Sequence, residues 1–161
     1  MFNFPLVAGV TAIITTQIIK YPIALIFKRP NANLSIIHAT GGMPSSHSAA
    51  VTALIVALIF EYGFTSPYVA IAAIFGMIIM FDAMGVRRQS GEQGVLVHYQ
   101  TKVLKSWAHD HQDQALLDKL QEMDEDDMVI NDYLGHKPSE VIGGIITGSL
   151  VALLLRYLFT L

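Results

Sequence analysis

The chain has 161 residues, of which 53% are hydrophobic and 14% charged, with a net charge of −3 and no cysteine. So apolar a composition indicates a membrane protein, and the length indicates one domain over residues 1–161. The absence of cysteine excludes disulfide bonds, thiol nucleophiles and zinc–thiolate sites. We expect no nucleic-acid partner.

Four apolar stretches are long enough to cross the roughly 30 Å hydrocarbon core of a bilayer as helices. They cover about residues 4–27, 48–64, 67–84 and 141–159. The sequence therefore predicts an all-α integral membrane protein with about four transmembrane helices. A polar, partly helical insert at about 88–135 precedes the last of them.

Apolar residues recur at helical spacing in the first part of the insert, at Val95, Tyr99, Val103 and Trp107. This pattern predicts an amphipathic helix. Its apolar stripe could lie on the bilayer surface with Trp107 at the level of the headgroups. Alternatively, the stripe could pack on the protein's own helix bundle or on a partner subunit. A homodimer would suit four short spans that bury little surface alone.

Consecutive loops of a chain with four spans alternate between the two sides of the membrane. The starts of the second and fourth spans and the whole insert therefore share one side, which we call the motif face. The unusual polar residues of the chain all fall on this face.

The first polar motif, "GGMPSSHSAA" at 41–50, opens the second span. Pro44 suits the first turn of a helix, so the helix is predicted to begin here. The unpaired N–H groups and the positive dipole end of a helix start attract anions. Ser45 and Ser46 add hydroxyl donors, and His47 adds a titratable imidazole. The alternative is that Ser45 or Ser46 caps the helix and His47 faces interfacial water.

The second motif, "GHKPSEVIGG" at 135–144, opens the fourth span with Pro138 in the first helical turn. Glu140 follows His136 by four residues, so its carboxylate could accept the Nδ1–H bond and leave a lone pair on Nε2. A histidine prepared in this way can act as a nucleophile or a base. Alternatively, the segment is an ordinary helix start in which Glu140 complements the helix dipole.

The third motif, "FDAMGVRRQSG" at 81–91, places two arginines directly after the third span. Arg87 and Arg88 are candidate phosphate ligands because a guanidinium binds phosphate oxygens in a bidentate way, and Asp82 could hold one of them in position. Anchoring at the membrane edge is the alternative. Lys20, inside the first span, is a functional candidate because a charge at membrane depth is costly, unless it reaches the interface by snorkelling.

Together these residues resemble the type 2 phosphatidic acid phosphatase (PAP2) superfamily, which also includes vanadium-dependent haloperoxidases. More narrowly, "GGMPSSHSA", "DAMGVRR" and "GHKPSEV" are similar to the motifs of the divergent PAP2 group of membrane proteins. The resemblance implies a reduced PAP2-like bundle and a membrane-embedded lipid phosphate phosphatase or pyrophosphatase. It also implies that no metal or other cofactor is required. We interpret "HDHQD" at 109–113 as a solvated helix face and not as a metal site.

The resemblance assigns catalytic roles to three residues. His136 is implied to be the nucleophile that forms a phosphohistidine, Glu140 its orienting acid, and His47 the general acid that protonates the leaving oxygen. The residues and the resemblance together give six candidate phosphate ligands: Lys20, Arg29, Ser45, Ser46, Arg87 and Arg88.

The chain also departs from the PAP2 pattern. Ser46 stands where the family has glycine, Glu140 stands where it has aspartate, and the insert separates the arginine and the histidine of the third family motif. Four spans replace the usual six. These departures motivate an alternative function, that of a catalytically inactive lipid-phosphate-binding or transport protein.

The expected substrates are phosphatidylglycerophosphate, phosphatidic acid or undecaprenyl phosphates, whose chains would stay in the lipid bilayer. Lys and Arg near the ends of spans favour the cytoplasmic side. On the motif face these residues are Lys28, Arg29, Arg87, Arg88 and Lys137. The opposite face has Arg156 alone. We therefore expect a multi-pass cell-membrane protein whose motif face is cytoplasmic.

Overall fold

A computed structural model describes residues 3–26, 42–122 and 135–160, and the regular secondary structure in these ranges is helical throughout. In chain order the helices are α1 Phe4–Ile26, α2 Ser46–Tyr62, α3 Pro67–Met84, α4 Val86–Asp110, α5 Gln114–Glu122 and α6 Pro138–Thr160. The predicted all-α class is confirmed. The candidate ligand Arg29 lies outside the described residues.

The described helices include three stretches that are long and apolar enough to cross a membrane: α1, the run that begins with α3, and α6. α2 is apolar as well but has 17 residues. At 1.5 Å per residue, α2 extends over about 25 Å, slightly less than the hydrocarbon core. α1, α2, α3 and α6 thus agree with the predicted bundle of membrane helices.

The two helices that carry the histidine motifs begin differently. Pro138 is the first residue of α6, as predicted. The prediction that Pro44 lies in the first turn of α2 is wrong, because α2 begins at Ser46 and Ser45 is its N-cap. The Ser45 hydroxyl accepts a hydrogen bond from the Ser48 N–H at 3.3 Å. This bond satisfies a donor that the first turn leaves unpaired, so the helix begins after the cap and Pro44 precedes it.

α2 is the central helix of the bundle and packs against α1, α3 and α6. Small side chains fill much of the core: Ala8, Ala12, Ala49, Ala53, Ala57 and Ala152 are all buried. At Gly144 and Gly148 of α6, a Cβ atom would collide with the α2 backbone at Ser45 and Ala49. In lipid, close van der Waals packing of this kind replaces the hydrophobic effect as the attraction between helices. The α2–α6 contact therefore depends on these two glycines.

α4 confirms the predicted amphipathic helix in the insert. Its apolar stripe is exposed, from 46% at Val95 to 66% at Tyr99. Among the described helices, α4 contacts only α3 and α5. Packing of the stripe on the protein's own bundle is therefore excluded within the described part of the chain.

We expect Gly148→Ala to destabilise the bundle, although alanine is the better helix former, because the new methyl group would collide with the Ala49 backbone. Overpacking of this kind costs about 1–3 kcal/mol. The melting temperature of the protein in detergent micelles should therefore fall by several degrees. Gly143→Ala is the matched control, since its methyl group would first meet the flexible Met43 side chain at 3.2 Å. Equal melting temperatures for the two variants would contradict this account of the α2–α6 contact.

Candidate active site

The starts of α2 and α6 lie side by side. The Ser45 N–H donates to the Glu140 carbonyl at 2.9 Å, so a backbone hydrogen bond joins the two helix starts. As a result, the imidazole of His47 in the first turn of α2 lies close to that of His136, two residues before α6. Their ring centroids are 6.3 Å apart. Two motifs that are distant in sequence therefore form one site.

The backbone around His136 is fixed by the end of α3 and the start of α4. The His136 N–H donates to the Ala83 carbonyl at 2.8 Å, which satisfies an acceptor at the end of α3. Gly135 has a φ of +88° and packs so closely on the Arg88 backbone that a Cβ atom has no room. Glycine has no Cβ atom and adopts positive φ angles readily, so it suits this position on both counts. The insert therefore returns to the point at which it leaves the bundle.

The predicted His136–Glu140 pair is present. His136 Nδ1 lies 3.0 Å from Glu140 Oε2, and the two side chains are 3% and 6% exposed. The same carboxylate oxygen accepts the Lys137 N–H at 3.2 Å. An ionised Glu140 accepts the Nδ1–H bond, which places the imidazole lone pair on Nε2. Nε2 is buried and has no hydrogen-bond partner among the described residues, so it is available to a ligand in the site.

A cavity of about 270 Å³ lies beside this pair. It is lined by His47, Ile78, Ile79, Asp82, Ala83, Arg87, Gly135 and His136. Two imidazoles and one guanidinium thus share a space with an apolar wall. The cavity is near the lower end of the size range of ligand pockets, which suits a phosphate group better than a whole lipid.

The two adjacent arginines have different surroundings. Arg87 Nε lies 2.7 Å from Asp82 Oδ2, and both side chains line the cavity. Arg88 Nε instead lies 3.0 Å from Glu92 Oε1, one turn along α4, and Arg88 is not a lining residue. Pairing through Nε orients the Arg87 guanidinium, whose terminal nitrogens can bind a second anion. Arg87 is therefore the stronger phosphate candidate.

Lys20 and the two serines are not in the described lining of the cavity. Lys20 is 1% exposed, and its charge interacts with those of Glu140 and His47. The Ser45 hydroxyl is buried as the cap of α2, which agrees with the capping alternative, and Ser46 is 6% exposed. Direct phosphate contacts from these three residues stay predictions.

The apolar wall of the cavity was not found from the sequence. Ile78 and Ile79 precede Asp82 by one helical turn and share its face of α3, so the spacing could have indicated them. Gly135 carries no comparable local signal. Its role depends on contact with Arg88, which lies far away in the sequence. Within the described ranges, no group of three or more His, Asp or Glu side chains is arranged to hold a metal ion.

A bundle of membrane helices with paired histidines and an arginine at one end is the class of protein to which the PAP2 motifs point. The chain belongs to the divergent PAP2 family, whose model matches residues 1–151. It is 43% identical over 157 residues to a protein of Bacillus subtilis (strain 168) named uncharacterized membrane protein YuiD. That alignment covers 98% of this chain and 96% of YuiD. No solved structure matches the chain. The resemblance drawn from the three motifs is confirmed.

We expect Arg87→Gln to weaken the binding of orthovanadate, a phosphate analogue, to the purified protein by about tenfold or more. The reason is that a hydrogen bond to a charged group contributes about 1.5–3 kcal/mol. Arg88→Gln is the matched control, because the Arg88 side chain pairs with an exposed glutamate. This variant should bind orthovanadate with an affinity within about twofold of the wild-type value. Isothermal titration calorimetry measures both affinities. A loss in Arg88→Gln as large as that in Arg87→Gln would contradict the assignment.

Proposed function

We propose that this membrane protein hydrolyses a lipid phosphate through a phosphohistidine intermediate. The observation that carries the proposal is the state of the His136 imidazole. Its Nδ1 is held 3.0 Å from a Glu140 oxygen, while its Nε2 has no partner among the described residues. Such a histidine is prepared to act as a nucleophile, and a second imidazole, that of His47, lies beside it in the same cavity.

In the proposed reaction, His136 Nε2 attacks phosphorus and the bond from phosphorus to the leaving oxygen breaks. Protonated His47 gives its proton to that oxygen. Glu140 stabilises the positive charge that develops on the attacking imidazole. Arg87 neutralises the charge on the phosphoryl oxygens in the transition state. Water then attacks the phosphohistidine with His47 as the base, which releases inorganic phosphate and restores His136.

Lys20 has a supporting role in this proposal. A buried carboxylate is stable only where an opposite charge or hydrogen bonds compensate for lost hydration. Lys20 is buried and interacts with the charge of Glu140, so the carboxylate that orients His136 is itself compensated. We therefore propose that Lys20 helps to position Glu140, while its direct contact with phosphate stays a separate prediction.

The position of the cavity supports a lipid substrate. Its apolar wall consists of Ile78 and Ile79 on α3. The same helix exposes Ile78 and Phe81 on the outside of the bundle, at 58% and 74%. A phosphate group in the cavity could therefore belong to a lipid whose chain lies in the bilayer beside α3. Phosphatidylglycerophosphate, phosphatidic acid and undecaprenyl phosphates are the candidates.

The proposal predicts that purified protein releases inorganic phosphate from at least one of these lipids in mixed micelles. His136→Ala should lower the rate to background, since it removes the attacking nitrogen. His109→Ala is the matched control, because it removes a histidine side chain that is 83% exposed on α4, and it should keep the wild-type rate. A colorimetric assay measures the rate of phosphate release by the wild-type protein and the two variants.

The alternative, a catalytically inactive lipid-phosphate-binding or transport protein, gives a different outcome. It is favoured by Ser46, which is buried with its Cβ at a position where the family pattern has glycine. Under this alternative, the lipids bind without release of phosphate, and binding persists in His136→Ala. That pair of results would overturn the hydrolase proposal.

We also propose that the motif face is cytoplasmic. Arg87, Arg88 and Lys137 lie at this end of the described bundle, while Arg156 lies near Phe4 at the other end. Positive residues of short loops favour the cytoplasm, and this imbalance supports the assignment.

Single cysteines test the sidedness in intact cells, because the chain has none of its own. Thr65→Cys lies in the exposed turn between α2 and α3, and His109→Cys lies on α4 beyond the motif end of α3. A membrane-impermeant maleimide should label Thr65→Cys and spare His109→Cys until the cells are permeabilised. Labelling of His109→Cys alone in intact cells would place the motif face outside.

A further inference from the structure

α4 exposes the side that a soluble helix would bury. The large apolar residues Val95, Leu96, Tyr99, Val103, Leu104 and Trp107 are between 44% and 66% exposed. The less exposed side carries small and polar residues, namely Gly94, His98, Thr101, Lys105 and Ala108, which are half-buried or buried. At 3.6 residues per turn, this second row lies opposite the apolar one. α5 is the described helix that packs on α4 within the insert, and the apolar side is exposed among the described residues.

The apolar side of α4 adjoins surface that faces lipid. A single residue, Gly85, separates α4 from the membrane helix α3. An apolar groove crosses the junction, and its lining includes Phe81 and Met84 of α3 and Val86 of α4. Phe81 and Val86 are 74% and 63% exposed. The apolar surface therefore continues from the outside of the bundle onto the first turn of α4.

The charges and the aromatic residues of α4 suit a membrane interface. Residues 93–109 contain no acidic residue, although the whole chain has a net charge of −3, and Lys102 is exposed in this segment. Lysine side chains can extend their charges to lipid headgroups while their alkyl stems cover apolar surface. Tyrosine and tryptophan are enriched at the boundary between headgroups and hydrocarbon, and Tyr99 and Trp107 both lie on the exposed apolar side.

We infer that α4 lies along the bilayer surface, with its apolar side inserted at the headgroup boundary of a membrane that carries anionic lipids. An amphipathic helix of this kind sinks about 5–10 Å into the interface. The inference does not depend on the proposed hydrolase activity. It has a consequence for the site, because Arg87 belongs to the first turn of α4 and Gly135 packs on the backbone of Arg88. A helix anchored on the surface would hold both sides of the cavity mouth at the depth of lipid phosphates.

Trp107 reports directly on this placement, since it is the only tryptophan of the chain. The full chain is reconstituted in vesicles of phosphatidylcholine and phosphatidylglycerol that contain phosphatidylcholine brominated either near the headgroup or near the chain end. We expect blue-shifted Trp107 emission that is quenched more strongly by the shallow bromines than by the deep ones. Quenching should not change when the protein-to-lipid ratio is lowered tenfold.

The matched control moves the tryptophan to the other side of the same helix, in the double variant Trp107→Phe, His109→Trp. The His109 side chain is 83% exposed on the polar side. Its replacement should be quenched by acrylamide in the aqueous phase and at least about twofold less by brominated lipid than Trp107 is. Equal lipid quenching at the two positions would overturn the inference.

Two further results would also overturn it. In the first, Trp107 emission is insensitive to bromine and shifts to the red on dilution in lipid. This result would show that a second copy of the chain covers the apolar side of α4. Strong acrylamide quenching of Trp107 in vesicles would show that the stripe faces water.

Discussion

The close approach of α2 and α6 is the constraint on which the rest of the structure depends. Gly144 and Gly148 let the α6 backbone lie directly against that of α2, and the Ser45 N–H then reaches the Glu140 carbonyl. A larger residue at either glycine would separate the helix starts, because protein interiors accommodate extra volume poorly. The separation of His47 and His136 follows from this contact, since each histidine lies within two residues of one of the two helix starts.

The second feature of the site is a chain of compensated charges inside an apolar bundle. Lys20 interacts with Glu140, Glu140 orients His136, and at the rim of the cavity Asp82 orients Arg87. Glu140 and Asp82 thus each pair with a basic side chain, which limits the free-energy cost of holding ionised side chains at the edge of a membrane. Within the described residues, the arrangement leaves a buried imidazole nitrogen without a hydrogen-bond partner and an oriented guanidinium in the lining of the cavity.

Much of this arrangement could be predicted because its causes are local. A bilayer core of fixed thickness selects long apolar stretches, and the spacing of four residues across the start of α6 lets the Glu140 carboxylate reach the His136 imidazole. The sequence could not show which of Arg87 and Arg88 lines the cavity, because the two adjacent arginines differ only in their partners. Arg87 pairs with Asp82 of α3, and Arg88 pairs with Glu92 of α4. The start of α2 was misplaced by the rule that favours Pro44 in a first turn, since a serine cap competes with that rule. The role of Gly135 escaped prediction for a different reason, because it depends on contact with Arg88, which is distant in the sequence.

The central claim, that His136 forms a covalent bond to phosphorus, is tested most directly by trapping the intermediate. Purified protein is mixed in turn with each candidate lipid phosphate, labelled with ³²P in the phosphate group, and is quenched with alkali after milliseconds to seconds. The account predicts label on the protein that survives base and is lost in acid, as expected of a phosphoramidate, and that maps by mass spectrometry to His136. Release of phosphate by a protein that never carries label, or label on any other residue, would contradict it.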